Sequence, residues 1–177
     1  MHGNYGLSYE QSKSQLTVWA MLAAPFLLST DLRTIKPKIK ELLLNRDVIA
    51  VDQDALGISG RVVSIIGRIY TWTRPVLPII SGQNSFAVAF VSRRNDGVPF
   101  AFNVTLADLE LTNPGGYDVK VSQMSFLFKK RFASNNFFLF IQDLYNPQRP
   151  VFRFSPTSTV FERINPVGAH MYRFTPV

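Results

Sequence analysis

The chain has 177 residues, the length of one ordinary domain or of a small domain with an appendage. Its 46% of hydrophobic and 18% of charged residues allow a buried core and exclude a disordered tail. Because cysteine is absent, disulfide scaffolds, zinc sites of the cysteine type and thiol nucleophiles are excluded. The net charge is +7, and phenylalanine is over-represented at 15 residues.

The excess of positive charge lies in the second part of the sequence. Residues 1–60 carry six basic and six acidic side chains, whereas residues 61–177 carry 13 basic and 6 acidic ones. A basic β-rich module with interleaved arginines and aromatics would suit nucleic-acid binding. A solvated surface is the favoured interpretation, because no RNP-like, KH-like or zinc-finger spacing is present. We therefore expect no nucleic-acid partner.

Near Met1 the sequence shows neither a signal peptide nor a membrane span. The basic start, apolar run and small-residue cleavage site of a secretory signal are not found there. The longest apolar stretch, Leu16 to Leu28, is about half a bilayer span and contains Thr17 and Pro25. We expect a soluble chain, either cytosolic or lacking its true N-terminus.

The sequence pattern of the first third predicts helices. Ser8 with Gln11 predicts a capping box, and the run from Tyr9 to about Ala23 has helical spacing that ends at Pro25. The short run that follows, residues 26–29, is apolar apart from Ser29 and is typical of a strand buried on both faces. Pro37 then suits the first position of a second helix, whose apolar face holds Ile39, Leu42 and Leu43. Helix, buried strand and helix make an α/β layer, not a complete domain.

From Arg61 the hydrophobic period changes to two. Residues 86–91 alternate alanine with large apolar side chains, and similar runs recur at 100–104, 151–154 and 160–164. Glycine-containing and proline-containing turn signals separate these runs at intervals that suit antiparallel strands. This half predicts an antiparallel β-sandwich.

Few side chains suggest chemistry. Asp52 and Asp54 have the spacing of a metal-binding or glycosyltransferase pair, but a turn or helix-cap role is favoured because no further acid or histidine lies nearby. A catalytic role is not expected for His2 or His170, because the sequence contains no Gly-x-Ser-x-Gly nucleophile elbow. Asn103-Val104-Thr105 is a sequon for N-glycosylation, meaningful only in a secretory route. Composition and spacing thus assign no catalytic, cofactor-binding or metal-binding residue, and Asn103 is the candidate glycosylation site.

Residues 3–60 nevertheless resemble a specific family. "GNYGLSYEQSKSQL" from Gly3, "LAAPFLLSTDLRTI" from Leu22 and "NRDVIAVDQDALGISGR" from Asn45 strongly resemble glycoside hydrolase family 27. "RINPVGAHMYRF" from Arg163 is similar to the closing strands of that family. The sequence departs from the family where Asp52 replaces a usual Asn and Ala55 a usual Pro.

The resemblance implies a fold in two parts. Family members have a (β/α)₈ TIM barrel followed by an antiparallel C-terminal β-domain. Residues 1–60 would be the last helix, strand and helix of the barrel, with the eighth strand around Pro25 to Ser29. Residues 61–177 would be the β-sandwich, so that the chain is an α+β fragment.

The resemblance also implies a function for the parent protein. Family members are retaining exo-glycosidases that remove terminal α-linked galactose or N-acetylgalactosamine, and their two catalytic Asp residues lie on earlier barrel strands. Matching therefore assigns no catalytic residue here, and we expect the chain alone to be inactive. Lysosomal or secreted location and a homodimer are implied for the full-length parent, with no cofactor. "STDLRTI" and "GISGR" lean toward the α-N-acetylgalactosaminidase branch.

Two alternatives stay open. The chain could be a non-catalytic β-module for folding support, dimerisation or sugar contact. Residues 122–142 hold six of the 15 phenylalanines and have no family counterpart, so they are either an insertion, such as translated intron, or an extra hairpin covering the sandwich.

Overall fold

The computed structural model describes residues 6–121 and 152–177. His2 and the segment 122–142 lie outside these residues. The described residues form three helices: α1 (Tyr9–Met21), α2 (Pro37–Leu43) and α3 (Arg46–Asp52). The strands that follow are β1 (Arg61–Ile66), β2 (Ile69–Ile80), β3 (Gln83–Ser92), β4 (Phe100–Thr105), β5 (Tyr117–Val121), β6 (Phe152–Phe154), β7 (Thr159–Ile164) and β8 (Ala169–Pro176).

Helices α1 and α2 begin where the sequence predicts. The Ser8 hydroxyl accepts a hydrogen bond from the Gln11 amide at 3.2 Å, and the Ser8 amide donates to the Gln11 side chain at 2.8 Å, which completes the capping box. Helix α2 starts at Pro37, whose missing N–H would have no partner in a first turn. Helix α3 was not predicted; the Asn45 side chain caps it by accepting from two amides of its first turn.

The strand predicted at residues 26–29 is wrong. The structure has no strand pairing there, and Leu27 is 78% exposed instead of buried on both faces. A strand needs partners for its backbone N–H and C=O groups, and no strand of the described residues lies beside this segment. The apolar run therefore remains irregular.

The strands pair antiparallel, as their alternation predicts. Six of them form one sheet in the order β1-β2-β3-β8-β5-β6, and β4 pairs with β7 in a second sheet. Aromatic and aliphatic side chains of both sheets share one core. There Phe90 of β3 lies 5.3 Å from Phe102 of β4, ring centre to ring centre, in an edge-on arrangement.

The alternation in β3 is explained by what covers each face of the large sheet. Ala87 and Ala89 face the helices and pack with Leu16 of α1, whereas Val88 and Phe90 face the second sheet. Successive side chains of a strand point to opposite faces, so small residues lie on one side and large ones on the other. The small side lets the helices come close, and the large side fills the space between the sheets.

Arg74 of β2 joins the helices to the large sheet. Its side chain is fully buried, and its guanidinium donates to the carbonyls of Ala20, Ile58 (2.7 Å) and, more weakly, Asp52 (3.5 Å). The carbonyls of Ala20 and Asp52 lie in the last turns of α1 and α3, where carbonyl groups are short of intrahelical donors and where a cation is favoured; the Ala20 carbonyl also accepts weakly from the Ala23 amide at 3.4 Å. One side chain therefore satisfies the ends of two helices and the loop that leads into β1.

Gly60 allows this junction to close. Its amide donates to the Met21 carbonyl at 2.6 Å. A Cβ at this position would lie 2.8 Å from that same oxygen and 3.0 Å from the carbonyl oxygen of Thr73. Any larger residue would push the end of α1 away from β2.

Replacing Arg74 with Met is expected to lower the free energy of unfolding by about 3 kcal/mol, because buried carbonyls lose their donors. Urea denaturation followed by circular dichroism measures this loss. Arg74→Lys should recover only part of it, since an ammonium cannot reproduce the planar fork.

The matched control is Arg153→Met. Arg153 is also an arginine on a strand of the large sheet, but it forms an exposed ion pair with Asp118 at 3.0 Å. Its loss should cost less than about 1 kcal/mol. Equal effects of the two substitutions would contradict the role of Arg74.

Candidate functional site

The acid pair Asp52 and Asp54 serves the junction around Arg74. Asp54 follows α3 in a turn; its carboxylate accepts from the Leu56 amide at 3.1 Å and from the Leu77 amide of β2 at 2.9 Å. The turn role predicted for the pair is thus confirmed for Asp54. Asp52 ends α3, and burial raises the pKa of its carboxyl group while the nearby Arg74 charge opposes that rise.

The electrostatics of this pair favour a structural role. Burial lowers the pKa of the Arg74 guanidinium, and the charges of Asp54 and Asp52 raise it. Each charged group thus offsets part of the cost of burying the other. Within residues 6–121 and 152–177 no third acid or histidine joins the two carboxylates, so a cation would meet only groups that already face Arg74.

His170 lies in a buried polar cluster between the two sheets. Its Nδ1 is 2.9 Å from a Glu162 carboxylate oxygen, and the Tyr172 hydroxyl donates to the other oxygen of the same carboxylate. His170 and Tyr172 lie on one face of β8, and Glu162 extends inward from β7 of the other sheet. All three side chains are buried, with 3–5% of each residue exposed.

This cluster joins the sheets and is closed to a substrate. Its carboxylate is satisfied by two donors from the opposite sheet, which is what burial of an acid requires. Burial raises the pKa of the Tyr172 hydroxyl well above its usual value, and the negative charge of Glu162 adds to the rise. The sequence assigned His170 no role and did not indicate Glu162 as its partner, because the two lie eight residues apart on different sheets and only the fold brings them together.

An exposed apolar segment is the most conspicuous surface of the helical part. It comprises residues 22–32, between α1 and α2. Its exposed leucines are Leu22 (41%), Leu27 (78%), Leu28 (45%) and Leu32 (64%). Such a run of exposed large apolar side chains marks a contact surface.

Asn103 lies in the middle of β4 with its side chain exposed. It is directly opposite Phe161 of β7 on the outer face of the second sheet. The structure therefore leaves the sequon accessible on one side of a regular strand pair.

No helix in the described part of the chain combines the length and hydropathy that a bilayer crossing requires.

The Tyr172 cluster predicts how stability depends on alkaline pH. In the folded protein the pKa of Tyr172 is raised, whereas in the unfolded chain it is near 10. The folded state therefore keeps a proton that the unfolded state loses, and the stability held below about pH 10 declines as the pH rises further. Urea midpoints between about pH 9 and 11 measure this slope. Tyr172→Phe should make it shallower and lower stability near neutral pH by about 1–2 kcal/mol.

Tyr70→Phe is the control, because Tyr70 is only half-buried and lies beside Arg93, outside the cluster. It should leave both the slope and the stability almost unchanged. An unaltered slope in Tyr172→Phe would refute the assignment of the alkaline transition to Tyr172.

Comparison with known proteins confirms the family resemblance. A family model described as "Alpha galactosidase A" matches residues 1–54. The α-N-acetylgalactosaminidase of Gallus gallus is 44% identical over 119 residues, covering 67% of this chain and 28% of the relative. The α-galactosidase A of Homo sapiens is 40% identical over 107 residues, covering 60% of this chain and 24% of the relative. The chain thus spans about a quarter of these curated relatives.

Solved structures agree in fold. An α-galactosidase of Saccharomyces cerevisiae superimposes with a TM-score of 0.73 at 16% identity, over 99% of this chain and 45% of that one. α-Galactosidase I of Mortierella vinacea gives a TM-score of 0.72 at 16% identity, over 98% of this chain and 37% of that one. A GH27 β-L-arabinopyranosidase of Geobacillus stearothermophilus gives 0.67 at 13% identity, over 97% and 31%.

At these identities the solved structures support the fold alone, and the curated sequences carry the family. Together with the matched segment at residues 1–54, they agree with the motifs found in the sequence. The chain belongs to glycoside hydrolase family 27 and matches the C-terminal portion of its members.

Proposed function

We propose that this chain supplies the C-terminal part of a retaining exo-glycosidase acting on terminal α-linked galactose or N-acetylgalactosamine of glycolipids and glycoproteins. The names of the curated relatives support this substrate class. The slight resemblance of "STDLRTI" and "GISGR" to the α-N-acetylgalactosaminidase branch favours the second sugar.

In this proposal the catalytic groups lie outside the chain. Retaining glycosidases use two carboxylates about 5–5.5 Å apart, one as nucleophile and one as acid and base. In a TIM barrel such residues sit at the C-terminal ends of several strands. Asp52 and Asp54 are engaged at the Arg74 junction: Asp54 accepts from the Leu77 amide, and both carboxylates interact with the Arg74 charge. The chain alone is therefore inactive.

We further propose that residues 1–60 close a (β/α)₈ barrel and that residues 61–177 form its β-sandwich domain, with β1 beginning at Arg61. The exposed apolar segment is the observation that carries this proposal. Its leucines lie on the helical part, where the preceding elements of a barrel would pack, and their exposure accords with a neighbour that covers them.

The full-length parent is proposed to be lysosomal or secreted and homodimeric, without a cofactor. The alternative function, a non-catalytic β-module, draws support from the core between the two sheets, whose members among the described residues run from Ile69 to Phe174. The other face of the large sheet argues against an independent module, because the helices cover it. Val76, Ala87 and Met171 are fully buried within a core that the helices complete.

The proposal predicts activity only when a barrel is supplied. The chain alone should give no turnover of p-nitrophenyl α-galactoside or α-N-acetylgalactosaminide above buffer. A chimera that joins the barrel of the Gallus gallus relative to this chain at the matching position should hydrolyse one of the two. Turnover by the purified chain would overturn the proposed inactivity, and a folded but inactive chimera would favour the β-module.

Leu27→Arg tests the apolar segment within the same chimera. Because Leu27 is 78% exposed in the chain alone, the substitution should leave the chain's own stability within about 0.5 kcal/mol. In the chimera it would bury an unpaired charge and should abolish soluble, active protein. Val98→Arg is the matched control: Val98 is 60% exposed on the loop before β4 and should tolerate Arg in both settings. An active Leu27→Arg chimera would contradict the proposed contact.

A further inference from the structure

The outer face of the second sheet combines an exposed asparagine with a half-exposed aromatic ring. In β4, Phe102 and Val104 point into the core, so that Asn103 between them points outward. In β7, Val160 and Glu162 point inward, so that Phe161 points outward.

The strand register places these two outward residues directly opposite each other. Asn103 pairs with Phe161 in the antiparallel ladder of β4 and β7. Side chains at directly opposed positions have Cβ atoms about 4.5–5.5 Å apart. A group attached to the Asn103 amide would therefore begin within reach of the Phe161 ring.

We propose that Asn103 is N-glycosylated and that the first sugar of the glycan packs on the Phe161 ring. Asn103-Val104-Thr105 is the one Asn-x-Ser/Thr sequon of the sequence without proline at its centre. A glycan needs a surface position, and the exposed Asn103 side chain provides it in the folded protein. An apolar sugar face that covers the ring removes apolar area of both groups from water.

The covalent step joins Asn103 to a polyisoprenyl-pyrophosphate-linked oligosaccharide, the co-reactant for this modification. The Asn103 Nδ2 atom attacks C1 of the N-acetylglucosamine that is bonded to the pyrophosphate; the new N–C bond forms as the bond from C1 to the pyrophosphate oxygen breaks. The lipid pyrophosphate leaves, and the amide proton passes to a base of the transferase.

The folded structure suggests when this happens. The Thr105 hydroxyl donates to the Asp108 carboxylate at 2.7 Å, and Asp108 also accepts from the Thr105 amide at 2.8 Å. The hydroxyl that the sequon offers for recognition is thus held within the turn after β4. Transfer fits a stage before this turn closes, and the exposed position then holds the finished glycan without disturbing the fold.

In the cell this modification requires the secretory routing proposed above. In the test, an added secretory leader provides that routing. The full chain is expressed behind a secretory leader in cultured eukaryotic cells and analysed by electrophoresis with and without an amidase that releases N-glycans. We expect one mobility shift, lost in Asn103→Gln and Thr105→Ala and kept in Thr105→Ser. Unmodified Asn103 in a mass spectrum of the leader-directed chain would overturn the inference, whereas an inactive chimera in the experiment above would bear only on the proposed function.

Packing on Phe161 is tested by thermal melting. Protein trimmed to a single N-acetylglucosamine is compared with the same chain made without glycan in bacteria. The trimmed form should melt about 2 °C higher. Phe161→Ala should keep the glycan and lose this difference, while Thr159→Ala, an outward neighbour on β7, should retain it. An equal difference in Phe161→Ala would overturn the packing.

Discussion

The fold of this chain depends on one buried cation. The Arg74 guanidinium lies where the last turns of α1 and α3 meet the loop before β1, and it donates a hydrogen bond to one carbonyl in each of the three. An arginine buried among apolar side chains would be costly without partners. Here Asp52 and Asp54 supply opposing charge, and Asp54 also holds the turn after α3 to β2. The helical part and the large sheet therefore share one polar contact embedded in their common apolar core.

Local patterns in the sequence predicted the elements whose stability is local. The capping box at Ser8, the proline at the start of α2 and the alternation of β3 each depend on residues within a few positions of one another. The strand expected at residues 26–29 failed for the opposite reason. Its apolar composition indicates a tendency to be buried, but a strand forms only where a second strand is present to pair with its backbone. Helix α3 was missed although its Asn45 cap was readable; α2 is equally short, at seven residues, but it begins with a proline that marks its start.

The same distinction applies to the candidate sites. The turn role of Asp54 was predictable, since an aspartate that caps an amide two residues ahead acts within its own turn. The partnership of Glu162 with His170 and Tyr172 was not, because β7 and β8 belong to different sheets. The family itself came from dense motifs in the first sixty residues, and the matched model at residues 1–54 agrees with them. Those motifs show family membership, whereas the activity is part of the proposed function.

The two-sided character of β3 has a consequence for how the chain can vary. Ala87 and Ala89 set the spacing between the large sheet and α1, whose last turn carries a carbonyl that Arg74 binds. An added methylene at either alanine would lift the helix and lengthen a hydrogen bond more than one turn away. The side-chain volume at Ala87 and Ala89 is thus coupled to the Arg74 contact, because helix α1 moves as one rigid unit. Substitutions at these sites should be epistatic: a larger residue at Ala87 would be tolerated best where the arginine contact had already been lost.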